Sequence, residues 1–210
     1  MAHGGATLSL LYAQKYPDRV KGMILRGVFL GRKKDYDWSY QEGANRLFPD
    51  YWQDFIFPIP EEERSNILEA YYNRLKAEDE LARTNVAKRW AQWEAQCASL
   101  DPSKLVIERL TNLHTAMSLS LIETHYFMNH SFIKENQIIN EAFKLKNIPG
   151  IIIHGRFDVI CTIDSAYLLQ QSWLGSELQI IRNAGHAASE PGITDALVNA
   201  AEMMISKLRA

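Results

Sequence analysis

Asn147-Ile-Pro-Gly-Ile-Ile-Ile-His-Gly-Arg-Phe-Asp158 is the stretch that decides the architecture. Ile151, Ile152 and Ile153 form an unbroken β-branched run, too uniform for a strand with one wet face and suited to one buried on both faces of a parallel sheet. The run stops at Gly155, and Asp158 follows just past the strand's carboxyl end. Ile180-Ile-Arg-Asn-Ala-Gly-His186 repeats the plan, with apolar residues from Leu178 to Ile181, a turn at Gly185 and then His186. Open α/β sheets bind ligands beyond the carboxyl ends of their strands. An acid and an imidazole delivered there are two members of an acid–base–nucleophile triad.

Working outward, residues 6–16 read as a helix with Leu8, Leu11, Tyr12 and Lys15 on one face, stopped by Pro17 and entered through a turn at Gly4-Gly5. Val20-Lys-Gly-Met-Ile-Leu-Arg26 then reads as a returning strand, so the opening is half of a βαβ unit. From 32 to 145 strand patterns vanish. Helical periodicity takes over near 61–77, 79–97, 102–117 and 119–129, and four of the five tryptophans lie here, at Trp38, Trp52, Trp90 and Trp93. Strand–helix alternation resumes after 146, with helices at 163–173 and 193–208, the second carrying Leu197, Ala200, Ala201, Met204 and Leu208 on one face. The expected architecture is α/β: about three parallel strands with flanking helices in 1–31 and 146–210, and a helical cap inserted at 32–145 over the active-site face.

Composition narrows the function classes. Apolar residues make up 47% of the 210 and charged residues 23%, ordinary for a globular protein. A net charge of −2 gives no reason to expect nucleic acid or an anionic membrane as partner. No window approaches the ~18 apolar residues of a membrane span. Cys97 and Cys161 are far apart, His114, His125, His130 and His154 show no metal-ligand spacing, and a reducing cytoplasm is the expected compartment. No metal or organic cofactor is expected.

The chain resembles the proline iminopeptidases, a branch of the α/β-hydrolase fold. The resemblance rests on Leu10-Leu-Tyr-Ala-Gln-Lys-Tyr-Pro17, Leu25-Arg-Gly-Val-Phe-Leu30, Trp90-Ala-Gln-Trp-Glu94, Ile122-Glu-Thr-His-Tyr-Phe127, His154-Gly-Arg-Phe-Asp158 and Gly185-His186. It runs over nearly the whole chain but covers only the family's later part. It implies that Asp158 is the triad acid and His186 the base. It also implies that Glu94 and Glu123 hold a peptide's free amino terminus, with Phe127 beside them, and that the substrates are peptides with N-terminal proline.

The family places its Ser in a Gly-x-Ser-x-Gly elbow directly before the first helix. Registering the chain on Ala6-Thr-Leu puts His3 at the Ser position, so the core is expected to be a truncated one lacking its nucleophile and oxyanion loop. The chain by itself is then expected to be inactive, a remnant or fragment that at most binds peptide amino ends, and prone to self-association or in need of an N-terminal segment. No carboxylate partner lies near His3 in sequence, and Thr7 and Ser9 fall inside the helix rather than on the strained turn that aims an elbow Ser. Competing readings are plain for the rest. Asp158 could cap a turn, most helical glutamates are solvated, and Cys161 reads as buried filler.

Overall fold

The computed structural model describes residues 3–209, and of His3 the backbone alone. In chain order the helices and strands are α1 (His3–Lys15), β1 (Met23–Arg26), α2 (Lys33–Tyr40), α3 (Pro49–Ile56), α4 (Ile67–Leu75), α5 (Glu80–Cys97), α6 (Lys104–Leu110), α7 (Leu113–Met128), α8 (Gln137–Asn140), β2 (Gly150–Gly155), α9 (Ile163–Ser172), β3 (Ser176–Ile181) and α10 (Pro191–Arg209). They fall into two compact units, one of residues 1–30 and 136–210, the other of 31–135.

The first unit is built on the parallel sheet β1-β2-β3. All six residues of β2 are buried, as the Ile151–Ile153 run requires of a central strand. Leu25 pairs with Ile152, and Ile152 with Leu178. Ile151 and Ile153 pack on α10 through Ile193, Ala196, Ala200 and Met204. That stripe differs from the expected one, since Leu208 is exposed; the helix turns Ile193 rather than Leu208 to the sheet. Gly150 opens β2 because a Cβ there would lie 2.2 Å from the Trp173 ring.

α1 also departs from its expected face. Leu8 is 70% exposed and Tyr12 45%, while Ala6, Leu10 and Ala13 are buried. Gly4 and Gly5 belong to the helix's first turn rather than to a turn before it. Residues 136–145 belong with the sheet unit, so the 32–145 insertion divides at Glu135. Ile138, Ala142 and Leu145 are buried there, Gln14 Nε2 donates to the Ile138 carbonyl at 2.7 Å, and Trp173 Nε1 to that of Leu145 at 2.9 Å.

The second unit is helical throughout its described residues. Asp79 caps α5 by accepting the Leu81 and Ala82 N–H groups, and Pro49 takes the first position of α3. The expected helix near 61–77 is a tight 3₁₀ turn over Glu61–Asn66 followed by α4, capped by Asn66. The break between α6 and α7 falls at Thr111-Asn112 and not near residue 118. Asn112 accepts the His114 N–H and so starts α7, a cap that overrides apolar periodicity running through it.

Candidate active site

Asp158 and His186 meet because the loops after β2 and β3 are stitched together. Arg156 N–H donates to the Ile181 carbonyl at 2.9 Å and Phe157 N–H to that of Ala184 at 3.0 Å. Gly155 permits this, since a Cβ would stand 2.1 Å from the Gly185 oxygen. The result is a bond of 2.9 Å between His186 Nδ1 and Asp158 Oδ2, with both side chains buried. A carboxylate accepts, so Nδ1 carries the proton and Nε2 presents the lone pair of a general base.

Each partner is held from elsewhere in the unit. Asp158 Oδ1 accepts the Cys161 N–H at 2.8 Å. Gly185 N–H donates to both oxygens of Glu190, at 3.0 and 3.1 Å, anchoring the loop that carries His186. Arg26 Nη1 donates to the His186 carbonyl. Gly27, at φ +59°, is the floor under the imidazole. Burial alone would push the Asp158 carboxyl up, but the His186 charge and hydrogen bond, His154 and the Cys161 N–H together hold it below the usual carboxylate range. Burial pulls the Arg26 guanidinium below its ordinary value, and Asp158 opposes that shift.

Glu94, Glu123 and Phe127 come together within the second unit. Glu94 is 0% exposed and Glu123 8%, which removes the reading of solvated helical glutamates. Tyr40 joins them: its hydroxyl donates to Glu94 Oε1, and its ring stacks on Trp90 at 4.3 Å between centroids. Trp90 Nε1 donates to Glu123 Oε2 at 2.8 Å, and Phe127 packs on Tyr40 at 5.5 Å. Two buried carboxylates thus share one aromatic frame, where a cation would be held more tightly than in water.

His3, which the resemblance puts at the Ser position, has a side chain outside the described residues. Among the described residues no group of three or more His, Cys, Asp or Glu could hold a metal ion. No helix among them is long and apolar enough to cross a membrane. Sequence reading missed Arg26, Gly27, Tyr40 and His154. Only His154 left a signal, an imidazole continuing a fully apolar strand.

The sequence profile of the alpha/beta hydrolase fold matches residues 4–192. The chain belongs to the alpha/beta hydrolase fold family. Within it, the chain is 41% identical over 202 residues to a proline iminopeptidase of Xylella fastidiosa, covering 96% of this chain and 64% of that protein. It is 40% identical over 202 residues to the proline iminopeptidase of Arabidopsis thaliana, covering 95% and 53%. The chain therefore spans less than two thirds of the length of these curated relatives. Among solved structures, an esterase from Exiguobacterium antarcticum aligns with a TM-score of 0.56 at 14% identity, over 98% of this chain and 63% of that one. A serine hydrolase from Cycloclasticus zankles aligns at 0.52 and 17%, over 96% and 61%. These structural likenesses bear on the fold, and the motif resemblance to proline iminopeptidases holds along nearly the whole chain.

Proposed function

We propose that the chain carries the acid–base and amine-anchoring parts of a serine aminopeptidase of proline iminopeptidase type, acting on peptides with N-terminal proline. The reading rests on the 2.9 Å bond between His186 Nδ1 and Asp158 Oδ2 at the carboxyl ends of adjacent parallel strands. In that chemistry Asp158 fixes the Nδ1–H tautomer of His186. It then stabilises the imidazolium formed when Nε2 takes the proton of a serine attacking the substrate carbonyl. The imidazolium returns that proton to the departing amine, so one residue is base and then acid.

Glu94 and Glu123 take the substrate's ammonium in this reading, and Phe127 and Tyr40 offer apolar surface to a proline ring. An ammonium held by carboxylates restricts cleavage to the first residue. Because His3 stands at the elbow register, we expect the chain alone not to hydrolyse prolyl substrates. Self-association, or joining of a separate N-terminal segment, belongs to the same reading. The buried free thiols of Cys97 and Cys161 fit a reducing, cytoplasmic setting.

A second reading, binding of peptide amino ends without catalysis, has its own observation. Tyr40, Trp90, Glu94 and Glu123 are held to one another inside the second unit by α2, α5 and α7. Calorimetry with an L-prolyl peptide and its N-acetylated form tests the amine anchor. Binding of the free-amine form alone, weakened in Glu123→Gln, supports it; equal binding of both forms removes it.

A further inference from the structure

Asp158 is shared by two imidazoles. His186 Nδ1 stands 2.9 Å from Oδ2, and His154 Nε2 stands 3.5 Å from the same oxygen. His154 occupies the fifth position of β2, directly after three buried isoleucines, and is fully buried itself. Its Nε2 lies 2.6 Å from the Cys161 carbonyl oxygen. A carbonyl only accepts, so Nε2 carries the proton and Nδ1 holds the lone pair. Nδ1 is buried and has no hydrogen-bond partner among the described residues. Buried polar atoms are nearly always paired, and an aliphatic side chain at this position would bury no unpaired nitrogen. The penalty at Nδ1 therefore asks for a compensating role at Nε2.

That role is visible in the turn after β2. The Cys161 backbone is gripped on both sides: its N–H donates to Asp158 Oδ1 at 2.8 Å, and its carbonyl accepts from His154. Asp158 is thereby fixed by one oxygen on Cys161, the other on His186, and its loop on His154. We propose that His154 is a positioning residue, which clamps the 158–161 turn so that Asp158 Oδ2 is aimed at His186 Nδ1.

The clamp works only as a neutral ring. A second proton would go to Nδ1, which has no acceptor. The charged and titratable groups acting on this ring are Asp158, His186 and Arg26. Burial outweighs the attraction of Asp158 and keeps His154 below the usual imidazole range, with His186 and Arg26 adding to that direction. The two histidines thus divide the carboxylate between them. His186 can be protonated against it, and His154 orients it without competing for its charge. The inference rests on the assignment of Asp158 and His186 as acid and base, but on no substrate.

Nitrogen-15 NMR of the histidine side chains in the intact chain tests it without any activity measurement. The wild type should show His154 as the Nε2–H tautomer from pH 5 to 8, with a low-field proton on His186 Nδ1 that is absent in His186→Ala. His154→Phe, which keeps a ring but no donor, should lose that low-field proton. His154→Gln, which can still donate from its amide, should restore it. An Nδ1–H tautomer or an imidazolium at His154 near pH 6 overturns the proposal. So does a folded His154→Phe variant with an unchanged His186 signal. If His154→Phe does not fold, the wild-type tautomer and His154→Gln decide the matter alone. Failure of prolyl peptides to bind would sink the functional reading and leave this result untouched.

Discussion

Gly27 lies so close under His186 that a Cβ at that position would stand 2.7 Å from the ring's Cε1 and 3.2 Å from Nδ1. The end of β1 is therefore the surface against which the imidazole is seated, although the two residues are far apart in the chain. Gly27→Ala should cost about 1–2 kcal/mol for the left-handed backbone alone and also displace the ring. The control is Gly31→Ala. It carries the same kind of strain at φ +67°, but its Cβ would meet neighbours no closer than 3.2 Å. Urea unfolding should show both variants weakened, while only Gly27→Ala loses the His186 Nδ1–H resonance. Retention of that resonance in Gly27→Ala would show that β1 does not seat the ring.

Stability should fall with acid in two separate windows. His154 is held below its ordinary value, so its contribution is complete above about pH 6.5 and is lost as pH falls toward its lowered folded value. Asp158 is also lowered, so its contribution is complete above about pH 4 and is lost only as pH falls through its folded value. In the upper window stability should fall as the pH is lowered, because the unfolded chain takes up the His154 proton first. His154→Gln should flatten that window, and Asp158→Asn the lower one. Denaturant melts from pH 7.5 to 3 read both, and an unchanged upper slope in His154→Gln assigns it to another group.

Much of this site was legible in the linear sequence, for a physical reason. A β-branched run that ends in Gly fixes both a buried strand and the place where it stops, so Asp158 and His186 were located by their own neighbours. Glu94 and Glu123 were placed by resemblance, and their burial runs against what glutamates do on most helices. Tyr40 escaped notice because α2 reads Lys-Lys-Asp-Tyr-Asp-Trp-Ser-Tyr, a polar segment, and it is α5 that gives the Tyr40 ring and hydroxyl their partners, Trp90 and Glu94. Gly27 escaped because its purpose lies in a loop more than a hundred residues later. The misjudged face of α1 has the same origin: which side of a helix is covered depends on elements that local periodicity does not contain.

Purified chain should show no hydrolysis of proline p-nitroanilide above background. Loss of a triad nucleophile alone lowers turnover by a factor on the order of 10⁶, and the resemblance to proline iminopeptidases puts His3 where their Ser stands. Turnover that vanishes in His186→Ala, in preparations cleared of contaminating peptidases, would mean that another group attacks.

Among the described residues β1 has one sheet neighbour, β2. Its other edge carries backbone donors and acceptors along Met23, Ile24 and Leu25, beside an α1 whose Leu8 and Tyr12 are exposed. Such an edge is a template for pairing. Light scattering on the eluting peak of a sizing column should give a mass above that of one chain. A monomer with a sharp thermal transition would rule out association through this edge.

The interrupted sheet unit also sets an order of events during synthesis. Met23 pairs with Gly150, so β1 must wait while residues 31–135 leave the ribosome and form a compact unit of their own. Loop-closure entropy grows slowly with length, by about 0.6 kcal/mol per doubling, and an insert that has already folded shortens the flexible part of the loop. Helices α5 and α7 should therefore gain hydrogen-exchange protection before β1 does. The seat of His186 needs β1, β2 and the loop after β3 at once, so it is assembled last. A chain stalled between residues 158 and 186 holds Asp158 and lacks the imidazole that pairs with it, so the pair exists only once the loop after β3 has emerged.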